Sequence, residues 1–255
     1  ALAERNHVAA QPFPSQGKPQ EEHQMTVVLA TVCKDGVVMG SDSQITDKGR
    51  GMTYPAEKLH PLGDRAAWGG SGARSVLYDV ELAFNENSAT ILDAPDIGRA
   101  IQEQVLPIMR HHYDTFIPDV PGEEGGGTPS AYVMAAGWRN GKPWIVEITP
   151  SGMIGHYGDL GFHAIGSGAP MAQQAGSLLS HFHLTERDTR FGCAAVLRVL
   201  KALDLTSPTV GEPFSLCRID ENGAHHLTDK EIEQVNKDVE KWEDAEQKVI
   251  GDVFD

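Results

Sequence analysis

A chain of 255 residues is enough for one large domain, and 40% hydrophobic residues can supply a sizeable core. A formal net charge of −15 argues against nucleic acid as a partner, since phosphate contacts need a basic surface. No apolar run approaches the roughly 18 residues of a membrane span, and residues 1–24 lack the apolar centre of a secretory signal, so no membrane partner and a cytoplasmic location are expected.

Residues 1–24 are rich in Gln, Pro and Glu and can bury too little apolar surface to offset their ordering entropy, so they read as a flexible leader. The character changes at Met25. A β-branched run over 26–32, the turn pair Asp35-Gly36 and a second apolar run over 37–41 predict a hairpin that opens the folded domain. Further strands are expected over 54–62 and 66–69. Gly69-Gly70-Ser71-Gly72 then turns the chain into a helix with Val76, Leu77, Val80 and Phe84 at helical spacing. A second helix over 96–109 aligns Ile97, Ile101, Val105 and Ile108, and 118–129 is a loop. Strands over 130–138 and 143–148 flank the turn Asn140-Gly141, with more strand up to Ile165. Helices follow over 170–182 and 186–203, the second with capping-box spacing at Thr185 and Asp188. A late strand over 213–219 precedes a final helix, capped by Thr228 and Glu231, with Ile232, Val235, Val239 and Trp242 turned inward. Residues 229–255 hold ten acidic and four basic side chains, as a solvated acidic helix or an interaction tail would.

Strands and helices come in blocks rather than in strict alternation. That order predicts a layered α/β protein with mostly antiparallel sheets, not a doubly wound parallel one. Cys33, Cys193 and Cys217 are too few and too widely spaced for a disulfide framework, and each sits in an apolar stretch. None of the eleven histidines has zinc-site spacing, so neither a metal nor another cofactor is expected.

Thr26, Asp42 and Lys58 stand out by position, because a hairpin and an adjacent strand can bring them together at one sheet edge. A threonine hydroxyl is a weak nucleophile that needs a neighbouring base. A free α-amine, with a pKa of about 7.7–8.0, can take its proton at neutral pH. A nearby Lys58 ammonium would lower that pKa, and Asp42 would keep Lys58 charged and oriented. The turn at Gly72 can offer a backbone N–H to a developing oxyanion.

These residues carry a resemblance. Thr26-Val27-Val28-Leu29-Ala30, Ser41-Asp42-Ser43-Gln44-Ile45-Thr46, Glu57-Lys58-Leu59 and Gly70-Ser71-Gly72-Ala73 together resemble the N-terminal third of proteasome β subunits. They are also similar to the bacterial threonine peptidase of the same superfamily, which forms rings with a separate ATPase. Gly166-Ser167-Gly168 and Asp204-Leu205-Thr206-Ser207 resemble two later motifs of the family. The resemblance implies a four-layer αββα sandwich, the N-terminal-nucleophile (Ntn) hydrolase fold, with two mostly antiparallel sheets between helices. The resemblance covers roughly residues 26–223; with the composition of the two ends, the chain is expected to divide into a leader or propeptide over 1–25, a peptidase domain over 26–228 and an acidic C-terminal helix or tail over 229–255, the last without a counterpart in the family. It also implies Thr26 as nucleophile and base, Lys58 and Asp42 as its electrostatic support, and Gly72 as oxyanion donor. Ser167, Asp204 and Ser207 would order the amine and a water. Ile45, Thr46 and Gly70 would flank an extended polypeptide substrate by strand addition. A homo-oligomeric ring served by an ATPase unfoldase or regulator is the implied assembly. A small-molecule amidase, a non-catalytic ring scaffold and a plain binding module are the competing readings.

Overall fold

The hairpin that opens the domain is formed by β1 (Val28–Cys33) and β2 (Gly36–Asp42), paired in register from Val28↔Ser41 to Cys33↔Gly36. The computed structural model describes residues 26–47, 52–117, 128–207 and 210–254. The leader, the segment 118–127 and Pro208 lie outside the described residues. After β2 come a short ribbon of β3 (Gln44–Asp47) and β4 (Met52–Pro55), then β5 (Leu59–Leu62) and β6 (Ala66–Gly72). The helices α1 (Arg74–Asp93) and α2 (Ile97–Thr115) follow. Next are β7 (Ala131–Arg139), β8 (Lys142–Ile148), β9 (Ile154–His156) and β10 (Phe162–Ile165). The chain ends with α3 (Ala169–Leu179), α4 (Thr189–Thr206), β11 (Phe214–Asp220), β12 (Gly223–His226) and α5 (Asp229–Phe254).

Two five-stranded sheets result, ordered β10-β1-β2-β11-β12 and β5-β6-β7-β8-β9, with every neighbouring pair antiparallel. The period-two alternation of a strand decides the layers. Along β1, Val28, Ala30 and Val32 face the other sheet and pack with Met39, Leu59, Met134 and Ile145. Leu29 and Cys33 face the opposite way, onto a core with Val196, Leu200 and Leu203 of α4 and Val239 of α5. On the second sheet, Trp68, Val133 and Ile148 pack against Val76, Val80, Phe84, Ile101 and Val105 of α1 and α2. Helices, sheet, sheet, helices is the four-layer arrangement expected. Because both faces of β1 and β2 are covered, both strands are buried along their whole length.

The structure differs from expectation locally. The single strand foreseen over 54–62 is two, β4 and β5, interrupted by Ala56, Glu57 and Lys58. The chain bends there because the Ala56 N–H donates to the Ser43 carbonyl at 2.8 Å. Lys58 therefore sits in a connection rather than a strand. Asp188 alone caps α4, accepting from the Phe191 N–H at 2.9 Å, while Thr185 lies in a preceding 3-10 turn. The Thr228–Glu231 box forms as expected, with Glu231 accepting from both the amide and the hydroxyl of Thr228 at 2.8 Å.

Candidate active site

Thr26 immediately precedes β1, Asp42 ends β2, and Lys58 precedes β5. The hairpin register puts the start of β1 beside the end of β2, so Asp42 reaches back to the first strand. Its Oδ1 accepts from the Val27 N–H at 3.0 Å and its Oδ2 from the Gln44 N–H at 3.2 Å. The Lys58 ammonium donates to both carboxylate oxygens at 2.9 and 2.8 Å, and also to the Gln44 carbonyl. Asp42 is fully buried and Lys58 nearly so. Burial pushes the Asp42 carboxyl up from its ordinary value, opposed by the Lys58 charge and by the two amides. Burial likewise lowers Lys58, opposed by Asp42. A pair that bonds both carboxylate oxygens and engages the ammonium three times meets the condition for keeping charges inside a protein.

Thr26 is buried and fixed at both of its peptide groups. Its nitrogen donates to Ser167 Oγ at 3.2 Å, and its carbonyl accepts from the Gly168 N–H at 3.3 Å. Gly166 has φ +94°, and a Cβ there would lie 2.0 Å from the Thr26 carbonyl oxygen and 3.1 Å from Ser71 Oγ. Only glycine lets this turn approach so closely. Ser71, the residue before Gly72, is thus a neighbour of Thr26 across Gly166. Gly72 closes β6 opposite Ala131 with φ +129°, and a Cβ would meet the Ser130 carbonyl oxygen at 2.2 Å.

The remaining expected residues are spread more widely. Ser207 caps the end of α4 and is buried, its N–H donating to the Leu203 carbonyl at 2.8 Å. Asp204, one turn earlier, is exposed, and no hydrogen bond joins it to Thr26 among the described residues. Ile45 and Thr46 lie in β3, opposite Tyr54 and Thr53 of β4. Gly70 lies in β6 opposite Val133, against the side chain of Leu77. Val27 and Gln44 were not foreseen as site residues, because they act through backbone groups that leave no side-chain signal. The three cysteines are buried and free, and burial pushes Cys193 and Cys217 up to about 12, so neither is an activated nucleophile.

A threonine with a pinned backbone at the head of a strand, beside a buried lysine–carboxylate pair, agrees with the comparisons to known proteins. No family model matches the chain. "Proteasome subunit beta 1" of Streptomyces avermitilis is 26% identical over 232 residues, covering 84% of this chain and 76% of that protein. The solved structure of Anbu from Hyphomicrobium sp. strain MC1 superposes with a TM-score of 0.65 at 17% identity, over 89% of this chain and 97% of Anbu. Its Gly-1 mutant gives 0.66 at 16%, over 90% and 100%. The chain has the Ntn-hydrolase-like fold seen in Anbu and is similar in sequence to a proteasome β subunit. At this distance the Anbu structures speak for the fold alone, and the chemistry of the chain rests on its own residues. No helix of the described residues is long and apolar enough to cross a membrane.

Proposed function

We propose that the chain is a threonine-type endopeptidase, a subunit of a ring of identical copies in the cytoplasm that hydrolyses unfolded polypeptides, with an ATPase unfoldase as a possible supplier. The observation that carries this reading is the buried Asp42–Lys58 pair bonded to the amide of Val27, the residue directly after the candidate nucleophile. In the proposed reaction Thr26 is the first residue of the mature chain. Its free amine takes the hydroxyl proton as the oxygen attacks the peptide carbonyl, and the Lys58 charge lowers the amine pKa. The oxyanion accepts the Gly72 N–H, the leaving amine takes the proton, and water then hydrolyses the ester. Ser167 already bonds the nitrogen that would become this amine. Ser207 and Asp204 are proposed to order the attacking water, buried Ser207 from the end of α4 and exposed Asp204 from one turn earlier. The substrate would lie extended between Ile45–Thr46 and Gly70, completing a strand.

With Met25 attached, the Thr26 nitrogen is an amide without a basic lone pair, so the base does not exist. Protein verified by mass to retain residues 1–25 is expected to be inactive, and protein beginning at Thr26 to cleave peptides. Thr26→Ala in the shortened protein should abolish turnover, while Thr26→Ser keeps part of it. Equal activity with and without the leader, or turnover by the alanine variant, would refute the mechanism.

A further inference from the structure

Ser71 carries a hydroxyl that the reaction proposed above does not use. It is only 6% exposed, and among the described residues no hydrogen bond occupies that hydroxyl. Strand alternation decides where it faces. Trp68 and Gly70 of β6 turn toward α1, where they meet Phe84 and Leu77. Ala67 and Gly69 turn toward the first sheet, and a Cβ on Gly69 would lie 2.9 Å from Val28 Cγ1. Ser71 is next on that face. Along the start of β1, Val27 packs toward α4 and Val28 toward β6, so Thr26 shares the side of Val28. Ser71 and Thr26 therefore stand on facing sheets, one step beyond the contact of Gly69 with Val28. Gly166 marks how near they are: a Cβ there would lie 2.0 Å from the Thr26 carbonyl oxygen and 3.1 Å from Ser71 Oγ. No hydrogen bond joins the two hydroxyls among the described residues.

The amide that follows Ser71 points the same way out of the fold. The Ala73 N–H donates to the Ser130 carbonyl at 2.8 Å, in register with the β6–β7 ladder. By the alternation of an antiparallel pair, Ser71 then bonds β7 and the Gly72 N–H is aimed at the opposite edge. There β5 begins only at Leu59, opposite Gly69, so no strand of the described residues covers that edge at Gly72.

We propose that the Ser71 hydroxyl is a second oxyanion donor, acting beside the Gly72 N–H; this rests on the threonine-peptidase reading. As the Thr26 oxygen bonds the substrate carbon, the carbonyl π pair moves onto the carbonyl oxygen and the hydroxyl proton passes to the Thr26 amine. The new oxyanion can accept several hydrogen bonds, and Gly72 supplies one; Ser71 supplies another from the side chain directly before it. When the pair returns, the C–N bond breaks and the leaving amine takes the proton from Thr26. Ser71 keeps its own proton throughout. A buried hydroxyl without a partner is a cost that alanine would not carry, and a donor held ready for the transition state accounts for it.

Kinetics of the mature chain beginning at Thr26 test the assignment. Ser71→Ala should lower kcat about 10²-fold, with KM and melting temperature unchanged. Ser71→Cys, which keeps the volume but offers only a weak donor, should lose as much. A peptide aldehyde, whose adduct with Thr26 places an oxygen where the oxyanion forms, should bind both variants about 10²-fold more weakly. The matching peptide alcohol, which forms no adduct, should bind as it does to wild type. Wild-type kcat in Ser71→Ala, equal weakening of aldehyde and alcohol, or a kcat loss that follows a lowered melting temperature in both variants would overturn the donor while the peptidase reading stands. Absence of turnover by the mature wild type would overturn that reading, and the donor with it.

Discussion

Under the proposed mechanism Lys58 serves two ends that mutation can separate. Its ammonium is the counter-charge of a fully buried carboxylate, so Lys58→Ala leaves Asp42 uncompensated. Breaking such a pair costs about 3–5 kcal/mol, less whatever the Val27 and Gln44 amides still supply to Asp42. Loss of one electrostatic group also lowers turnover by about 10²-fold or more. The pair Asp42→Asn with Lys58→Met removes both charges and is expected to recover much of the stability without the turnover. Denaturant melts and kcat of matured protein read the two effects apart. Wild-type kcat in either variant would end the electrostatic role for Lys58. The meeting of Asp42 and Lys58 beside the Thr26 end of β1 was legible in the sequence because their side chains carry complementary charge. The groups that lock them together, the Val27 amide and the Gln44 carbonyl, were not, since any residue supplies them.

Elements with strong local signals were legible, and those set by neighbours were not. The turn Asn140-Gly141 adopts positive φ at both residues, 53° and 72°, as the dipeptide suggests. By contrast, β12 has no β-branched residue and exists because Gly223–His226 pairs with Asp220–Cys217. The break between β4 and β5 comes from the Ala56 amide reaching Ser43, a contact far from any local propensity. The start of α5 belongs to the legible set and gives a pH test. Glu231 is lowered from 4.5 to about 2, chiefly by the Thr228 amide, with His225 and the Thr228 hydroxyl adding to it. Since its folded value is depressed, its contribution is present above about 4.5 and is lost as pH falls through about 2. Glu231→Gln should therefore lower the melting temperature at neutral pH. The gap to wild type should close between these two values. A gap that stays constant down to acid pH would assign the cap no ionic part.

Across the whole molecule, the apolar interior between the two sheets holds a polar staple. His163 of β10 and Glu147 of β8 join the sheets through a 2.5 Å contact, with side chains only 10% and 8% exposed. Tyr157 stacks on the histidine ring at 3.5 Å and also bonds Glu147. The other ring nitrogen, Nδ1, is buried without a partner among the described residues. A buried polar group lacking a bond is a cost that the apolar residues around it would not carry. His163 pairs with Ala30 of β1, and β10 leads directly to Gly166 and Ser167, so the staple ties the second sheet to the strand that delivers Ser167. Removing one member should be expensive. His163→Ala leaves buried Glu147 with the Tyr157 bond alone and is expected to cost about 3–5 kcal/mol, less whatever Tyr157 still supplies. Replacing both, as Glu147→Met with His163→Leu, removes both polar groups and the orphaned nitrogen while keeping the volume. Tyr157 is only half-buried and can exchange its bond for a solvent one. The double variant should fall within about 1–2 kcal/mol of wild type, or above it, by denaturant unfolding. If it loses as much as the single variant, the staple contributes net stability to the sandwich, and its polar groups are more than a tolerated exception in an apolar layer.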